Sequence, residues 1–220
     1  MSRPRLLDLF SGAGGAGRGY QLAGWHVTGI DHQPQPRYAG DAFVQADALT
    51  YVAEHWPEYD AFHASPPCQQ FTAYRRRGGG VGDAYPNLIP ATREALSVTG
   101  RLWVIENVPG APLRNPVQLC GSSFGLDVRR HRMFETSHPI TVPACQHGWQ
   151  TPRFPPATNR TNLRRTVEVG VWRIPLHVQQ HAMGIDWMEL GELSQAVPPA
   201  YTEHIGAQML AHLAVGAAAT

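Results

Sequence analysis

The chain contains no lysine. All 18 of its basic residues are arginines, and 17 acidic residues leave a net charge of +1. This balance excludes a uniformly basic coat for nucleic acid, although it leaves room for a local patch of arginines, which bind phosphates and base edges in a bidentate manner. With 43% hydrophobic and 16% charged residues among 220, the composition is typical of a globular domain and excludes a disordered chain.

Cysteines and long apolar runs are also scarce. Three cysteines are an odd number, which does not favour a disulfide framework. No run approaches the ~20 apolar residues that a membrane span needs, and residues 1–15 lack the apolar stretch of a secretory signal. We therefore expect a cytoplasmic protein without a membrane partner.

Strand and helix patterns alternate along the first two-thirds of the chain. Apolar runs predict strands at 5–10, 25–30, 42–46, 59–64 and 102–105, and helical patterns extend to residue 23 and over 87–98. This repetition predicts an α/β fold, a doubly wound parallel sheet with helices on both faces. The expected domain comprises residues 1–136 and 176–220, with helices at 177–183 and 200–218. A segment rich in loops, 137–175, interrupts it.

Side chains with useful chemistry follow four of these strands: Asp31, Asp47, Cys68 and Glu106. In open parallel sheets ligands bind beyond the carboxyl ends of the strands. We therefore expect these four side chains along one edge of the sheet.

A glycine-rich turn follows the first strand. Gly12, Gly14, Gly15 and Gly17 let a ligand approach the backbone, and Asp31 lies 31 − 12 = 19 positions past the first glycine, where an acid typically holds ribose hydroxyls. The motif alone is compatible with NAD, a flavin, S-adenosylmethionine or a structural turn.

Three further motifs each have an ordinary alternative. Cys68, behind two prolines that stiffen the backbone, is either an aimed nucleophile or a half-buried thiol. Glu106 is either a carboxyl that burial keeps protonated or a surface acid. The arginines at 129–132 either clamp an anion or form a solvated charge run.

Together the four motifs resemble those of the DNA cytosine-C5 methyltransferases, in the same order and with similar spacing over residues 5–135. The matching segments are DLFSGAGG at 8–15, PCQ at 67–69, ENV at 106–108 and RxR at 130–132. The resemblance implies the S-adenosylmethionine-dependent methyltransferase fold and a compact form from a bacterium or a phage, in which restriction-modification, evasion of host restriction and regulation are all compatible roles.

The resemblance also implies a mechanism. Cys68 adds to C6 of cytosine, which activates C5 to take the methyl group, and Glu106 contacts N3 and the exocyclic amine. Arg130 and Arg132 position the base and the flanking backbone. Because C5 is hidden in duplex DNA, the base is flipped out.

The implied cofactor is S-adenosylmethionine, with Phe10 on the adenine, Asp31 on the ribose and Asp47 on the adenine amine. The residues expected to bind it are Phe10, Ser11, Gly12, Gly14, Gly15, Asp31, His32, Asp47, Ala48, Pro67 and Gln195. Two positions depart from the family. Residues 194–197 read SQAV where the family usually has Gly-Asn-Ser-Val, and Val128 replaces the glutamine that opens the arginine motif.

The expected partner is DNA that contains cytosine. The residues expected to contact it are Gln69, Arg75, Arg76, Arg77, Arg153, Arg160, Arg164 and Arg165. Only 178 − 134 − 1 = 43 residues separate Phe134 from Val178, where the family usually keeps a much larger target-recognition domain. Three explanations are compatible with this size. The recognised DNA sequence is short and weakly specified, or a helper protein supplies the specificity, or the substrate is not long duplex DNA.

Other hypotheses about the function remain open. The chain could act on a cytosine nucleotide or single-stranded DNA, use a modified donor, bind DNA without catalysis, or be a nicotinamide dehydrogenase. Cys145 and His147, with His138 nearby, suggest a zinc clip, but their spacing is not a standard pattern. We interpret them as ordinary loop residues and Cys120 as structural, and predict no metal site.

Overall fold

The computed structural model describes residues 2–68, 71, 86–151 and 164–218, with the backbone alone for residues 151, 164, 165, 217 and 218. Several residues expected to contact DNA therefore lie outside the described residues: Gln69, Arg75, Arg76, Arg77, Arg153 and Arg160. For Arg164 and Arg165 only the backbone strand is described.

A seven-stranded sheet forms the centre of the fold, in the order β3-β2-β1-β4-β5-β7-β6. Its strands are β1 (Arg5–Leu9), β2 (His26–Asp31), β3 (Ala42–Gln45), β4 (Ala61–Ala64), β5 (Leu102–Asn107), β6 (Val117–Leu119) and β7 (Arg132–Thr136). The first five strands in this order are parallel, whereas β7 runs antiparallel to β5, and β6 antiparallel to β7. The predicted α/β class is confirmed, and the antiparallel edge is an addition that the sequence did not predict.

Helices cover both faces of the sheet. They are α1 (Gly15–Ala23), α2 (Ala48–His55), α3 (Ile89–Ser97), α4 (Leu176–Met183), α5 (Leu190–Gln195) and α6 (Pro199–Ala218). One core cluster joins α1 and α6 to the sheet around Tyr20 and Tyr201, and a second joins α2 and α3 to it around Val52 and Leu96. In the described part of the chain no helix is long and apolar enough to cross a membrane.

Helix α6 packs directly on α1 because α1 carries glycine at the contact. A Cβ on Gly19 would lie 2.1 Å from both the carbonyl oxygen of Pro199 and the hydroxyl of Thr202. The same hydroxyl donates a hydrogen bond to the carbonyl of Ala16 at 2.8 Å. The C-terminal helix therefore belongs to the same core as the first strand, and its first turn lies against the helix that follows the glycine-rich turn.

A third core cluster contains residues 167 and 174 together with α4 and α5. The indole Nε1 of Trp187 donates to the carbonyl of Ala13 at 2.9 Å and ties this layer to the glycine-rich turn. Helix α5, which the sequence did not predict, starts with a reciprocal capping box between Glu189 and Glu192. A short two-stranded sheet pairs β8 (Gln150–Thr151) with β9 (Arg164–Arg165). That 137–175 forms a separate recognition segment remains a prediction.

Candidate active site

A cavity of about 720 Å³ opens at the carboxyl ends of the parallel strands. β1 lies between β2 and β4, so the strand order reverses there, and such a switch point is where open α/β sheets bind ligands. Thirteen predicted site residues line this one cavity: Phe10, Ser11, Gly12, Gly15, Asp31, His32, Asp47, Ala48, Pro67, Cys68, Glu106, Arg132 and Gln195. Most of the residues assigned to the cofactor and to catalysis therefore line the same cavity.

The glycine-rich turn is built around Asp31. The backbone N–H of Gly12 donates to the Asp31 carboxylate at 3.0 Å, and the N–H of Gln33 donates to it at 2.9 Å. Just before the turn, Phe10 has a φ of 58°, a left-handed conformation that a residue with a side chain seldom adopts. The turn thus fixes both Asp31 and the aromatic ring of Phe10 at the cavity wall.

Gly14 does not lie among the described residues that line the cavity. Its φ is 81°, and a Cβ there would lie 2.9 Å from the Tyr38 ring and from the backbone nitrogen of Ala39. The need for glycine at this position is therefore explained by the turn and by the close approach of Tyr38, and the cofactor contact of Gly14 stays a prediction.

Asp8 is a buried acid that sequence reasoning placed in a motif without a role. It lines the cavity from β1 with its side chain fully buried, and the backbone N–H of Gly17 lies beside its carboxylate. Burial, reinforced by the negative charges of Asp31 and Glu106, raises the pKa of Asp8 to about 8. A carboxyl in this position is suited to a cationic ligand, whose charge would favour the ionised form.

Asp47 has a structural function in addition to its place on the cavity wall. Its side chain caps α2 by accepting a hydrogen bond from the N–H of Thr50 at 2.8 Å. This bond lowers the pKa of Asp47, so its carboxylate stays ionised. Asp47 also lines the cavity, which is compatible with the predicted contact of its carboxylate with an amine.

A side chain at the end of the neighbouring strand β5 holds the turn that carries Cys68 by a hydrogen bond. The side-chain Nδ2 of Asn107 donates to the carbonyl of Pro66 at 2.8 Å, and its side-chain Oδ1 accepts from the N–H of Val108 at 2.9 Å. Asn107 is buried at the end of β5, next to Glu106. It is thus a positioning residue for the cysteine, and sequence reasoning gave it no role because its partner lies 41 residues away.

Glu106 and Arg132 form an ion pair beside the cysteine. The Nε of Arg132 lies 3.1 Å from Oε1 of Glu106, and both side chains are largely buried. Burial raises the pKa of Glu106, although Arg132, the Ser65 hydroxyl and Arg130 each oppose this effect. The carboxyl therefore accepts a proton more readily than an exposed glutamate does.

The Cys68 thiol is coupled to the same pair. Burial raises its pKa, Glu106 adds to the rise through charge repulsion, and Arg132 opposes it. A protonated Glu106 would no longer repel a thiolate. Protonation of Glu106 and ionisation of Cys68 thus favour each other, which is useful where a nucleophile and a proton donor act together.

Arg130 contacts the backbone at the end of helix α5. Its Nε donates to the carbonyl of Ala196 at 2.8 Å and its Nη2 to the carbonyl of Ser194 at 2.7 Å. It does not lie among the described residues that line the cavity, whereas Gln195, Ala196 and Val197 do. The guanidinium therefore holds the C-terminal wall of the cavity, and the predicted contact of Arg130 with the base stays a prediction.

Known proteins resemble the chain in sequence and in fold. No protein-family model matches it. It is 25% identical over 162 residues to the type II methyltransferase M.AgeI of Thalassovita gelatinovora, a match that covers 66% of this chain and 36% of that relative. The chain thus spans little more than a third of the relative's length.

Among solved structures, the S. pombe Dnmt2 methyltransferase superposes with a TM-score of 0.57 at 14% identity, over 96% of this chain and 99% of that one. The Entamoeba histolytica methyltransferase EhMeth superposes with a TM-score of 0.59 at 12% identity, over 97% of this chain and 99% of that one. These structural matches show the fold. The sequence match is likewise to a methyltransferase, so the chain is similar to methyltransferases in sequence and in fold.

Proposed function

We propose that the protein transfers a methyl group from S-adenosylmethionine to C5 of cytosine in DNA, with Cys68 as the nucleophile. The observation that carries this proposal is the convergence of Cys68, Glu106 and Arg132 on the same cavity as the glycine-rich turn and Asp31. A cysteine that adds to C6 must stand beside both a proton donor for the base and the methyl donor, and one shared cavity meets that requirement.

The cavity fits the cofactor in volume and in charge. Its 720 Å³ lies within the range of roughly 300–1,000 Å³ that is usual for small-molecule sites. S-adenosylmethionine carries an ammonium and a sulfonium, and the buried Asp8 carboxyl would supply negative charge for them once ionised. When bound, the cofactor supplies an electrophilic methyl group. Asp8 would face its positive charges, Asp31 would accept from its ribose hydroxyls, and Phe10 would pack on its adenine.

The described residues supply the other steps of the proposed reaction. The Cys68 thiolate would form a bond to C6, and electron density would move to C5 while N3 takes a proton from Glu106. C5 would take the methyl group, with S-adenosylhomocysteine as the leaving group. Loss of the C5 proton to water and cleavage of the C6–S bond would then release the Cys68 thiolate, and N3 would return its proton to Glu106. Arg132, paired with Glu106, orients the carboxyl towards the base.

Covalent trapping tests the nucleophile directly. Duplex DNA with 5-fluorocytosine, added with S-adenosylmethionine, should yield a protein–DNA adduct that survives denaturation, because fluorine cannot leave C5 as the proton does. Cys68→Ser should form no adduct while it still binds the cofactor in calorimetry. An adduct with Cys68→Ser, or a fully active Cys68→Ser protein, would contradict the assignment.

A product assay with several acceptors tests the substrate. Nucleoside mass spectrometry after incubation with duplex DNA, single-stranded DNA or a cytosine nucleotide should show 5-methylcytosine from duplex DNA. Product from single strands or nucleotides alone would keep the roles of Cys68 and Glu106 and change the substrate. A different mass shift on cytosine would change the donor. Cofactor binding without product from any acceptor would favour a binding relative that lacks catalysis.

A further inference from the structure

Four side chains with metal-binding atoms converge outside the cavity. Cys120 follows β6, His131 precedes β7, and Cys145 and His147 belong to the loop beyond β7. One ligand atom from each of the four residues lies within 4.8 Å of every other. These segments meet at the antiparallel edge of the sheet, and the proposed methyltransferase chemistry uses none of the four residues.

The distances within the cluster are close to those of a tetrahedral site. The Sγ of Cys120 lies 3.2 Å from Nε2 of His147, and the Sγ of Cys145 lies 3.6 Å from Nε2 of His131. With metal bonds of about 2.3 Å to sulfur and about 2.0–2.1 Å to nitrogen, the edges of a zinc tetrahedron measure about 3.3–3.8 Å. The side chains would need to shift by little to surround an ion.

The choice of ligands identifies the ion. Two thiolates and two imidazoles in a tetrahedron are typical of Zn²⁺, and the two negative charges neutralise it. Further polar groups contact the sulfurs: the Gln118 amide donates to the Sγ of Cys145 at 3.7 Å, and the Ser122 hydroxyl lies 3.1 Å from the Sγ of Cys120. Such outer contacts orient the ligands and stabilise thiolate character.

We propose that Cys120, His131, Cys145 and His147 form a structural zinc site. Four protein ligands leave no open position for substrate, which is the arrangement of a structural site and not of a catalytic one. The ion would join the edge of the sheet to the start of the loop-rich segment. That segment has few residues with which to build a core, and a metal is a usual substitute for one.

The zinc site would also stabilise the neighbouring active site. His131 lies between the two arginines of the RxR motif, and its carbonyl accepts a hydrogen bond from Nη1 of Arg132 at 3.0 Å. A fixed His131 ring therefore fixes the backbone from which Arg132 reaches Glu106. The proposal itself does not depend on the methyltransferase assignment, because a metal can be measured without any substrate.

Sequence spacing conceals this set of ligands. The pattern runs Cys-x10-His-x13-Cys-x-His, since 131 − 120 − 1 = 10, 145 − 131 − 1 = 13 and 147 − 145 − 1 = 1. The sequence suggested His138 as the third ligand, whereas the structure brings Cys120 and His131 to the cluster instead. The preference for ordinary loop residues is therefore replaced by this proposal.

Elemental analysis tests the proposal. Protein expressed with zinc and purified without chelator should contain about one zinc per chain. Cys145→Ser and His147→Gln should each lose most of it. His177→Gln, at an exposed histidine outside the cluster, and Cys68→Ser, at a thiol outside it, should keep the full content.

Cobalt provides a second measurement that does not depend on the variants folding. Apoprotein titrated with Co²⁺ should develop the visible bands of tetrahedral cobalt and a sulfur-to-cobalt charge-transfer band, both saturating at about one equivalent. Three results would overturn the proposal: neither stoichiometric zinc nor cobalt bands, full zinc content in Cys145→Ser and His147→Gln, or a Cys120–Cys145 disulfide in the purified protein.

Discussion

The Nε2 of His63 lies 3.0 Å from the Oγ of Ser65, three residues before Cys68. The other ring nitrogen of His63 lies 3.0 Å from the hydroxyl of Tyr20 on α1. The Ser65 hydroxyl in turn contacts the Glu106 carboxyl and lowers its pKa. A buried histidine thus connects helix α1 through Ser65 to the turn of the nucleophile and to the glutamate.

His63 should make the protein sensitive to acid. Burial lowers its pKa from 6.5 to about 3, so below pH 6.5 the unfolded chain takes up a proton that the folded chain does not. Stability should fall between about pH 6.5 and 3, by up to about 1.4 kcal/mol per pH unit. His63→Gln should be less stable at pH 7 and lose less on acidification, as measured by urea unfolding at several pH values.

The exposed His177 provides the matched control for this prediction. His177→Gln should keep the wild-type pH slope, since its replacement disturbs no buried ring. Equal slopes for wild type and His63→Gln would contradict the assignment of the acid sensitivity to His63.

Asp8→Asn should improve the stability of the free protein at alkaline pH and weaken cofactor binding. Because burial raises the pKa of Asp8 from 3.8 to about 8, its contribution to stability is present below pH 3.8 and is lost as the pH rises to about 8. The asparagine does not titrate. The free energy of unfolding of the variant, relative to wild type, should therefore rise from pH 5 to pH 8.

Calorimetry with S-adenosylmethionine supplies the second half of the Asp8 prediction. The variant should bind more weakly because a neutral amide cannot pair with a positive charge. Asp47→Asn, on the same cavity wall, serves as the comparison for the stability measurement, because the pKa of Asp47 is lowered and its pH dependence has the opposite sign. Unchanged cofactor affinity in Asp8→Asn would contradict the proposed charge contact.

The sequence predicted the parallel strands and the cavity residues at their ends because both depend on local patterns. Apolar runs of four to six residues define these strands, and Cys68 and Glu106 lie at the carboxyl ends of two of them. Parallel pairing then brings residues that are distant in sequence to one edge of the sheet. The other cofactor-binding residues were predicted from the resemblance of the motifs and of their order to those of the DNA cytosine-C5 methyltransferases.

Features that depend on contacts between distant segments were not predictable in this way. Strand β6 has three residues, too few to show the alternating pattern of a strand. Among the described strands it pairs with β7 alone. Arg130 bonds to backbone carbonyls 64 and 66 residues away, and a carbonyl leaves no signal in the sequence. The four metal-binding side chains meet only because β6 and β7 pair.

Asn107→Ala should lower the rate of transfer by roughly tenfold to a hundredfold with little effect on cofactor affinity. The substitution removes the donor that holds the carbonyl of Pro66, at a cost of about 1–3 kcal/mol in positioning the turn. Single-turnover rates and calorimetry separate the two quantities. Asn107→Asp, which keeps the acceptor for Val108 but not the donor, should show a similar loss of rate. An equal loss of cofactor affinity would contradict a positioning role.

Arg130→Lys should weaken cofactor binding by about tenfold or more, because an ammonium cannot reproduce both bonds of the guanidinium to Ser194 and Ala196. The wall formed by residues 195–197 would then loosen. Calorimetry with S-adenosylmethionine should reveal this loss, while the affinity for DNA in a binding assay should change little. The opposite result, weaker DNA binding with full cofactor affinity, would assign Arg130 to the nucleic acid.

Glu106→Gln should make Cys68 more reactive towards an alkylating agent and yet abolish methyl transfer. The Glu106 charge is the second cause, after burial, of the raised pKa of Cys68, so its removal should lower that pKa and increase the thiolate fraction at neutral pH. Transfer should fail because glutamine cannot give a proton to N3 of the base. The pH dependence of iodoacetamide labelling, followed by mass spectrometry of the Cys68 peptide, measures the first effect.

Asp47→Asn separates this coupling from a general change of charge in the cavity. It removes one negative charge from the same wall, but Asp47 is not among the groups that shift the pKa of Cys68. Its labelling profile should match that of the wild type. If Glu106→Gln and Asp47→Asn shifted the profile equally, the cavity's net charge would control Cys68. A faster thiol in Glu106→Gln alone would show that the carboxyl restrains the nucleophile until the base arrives.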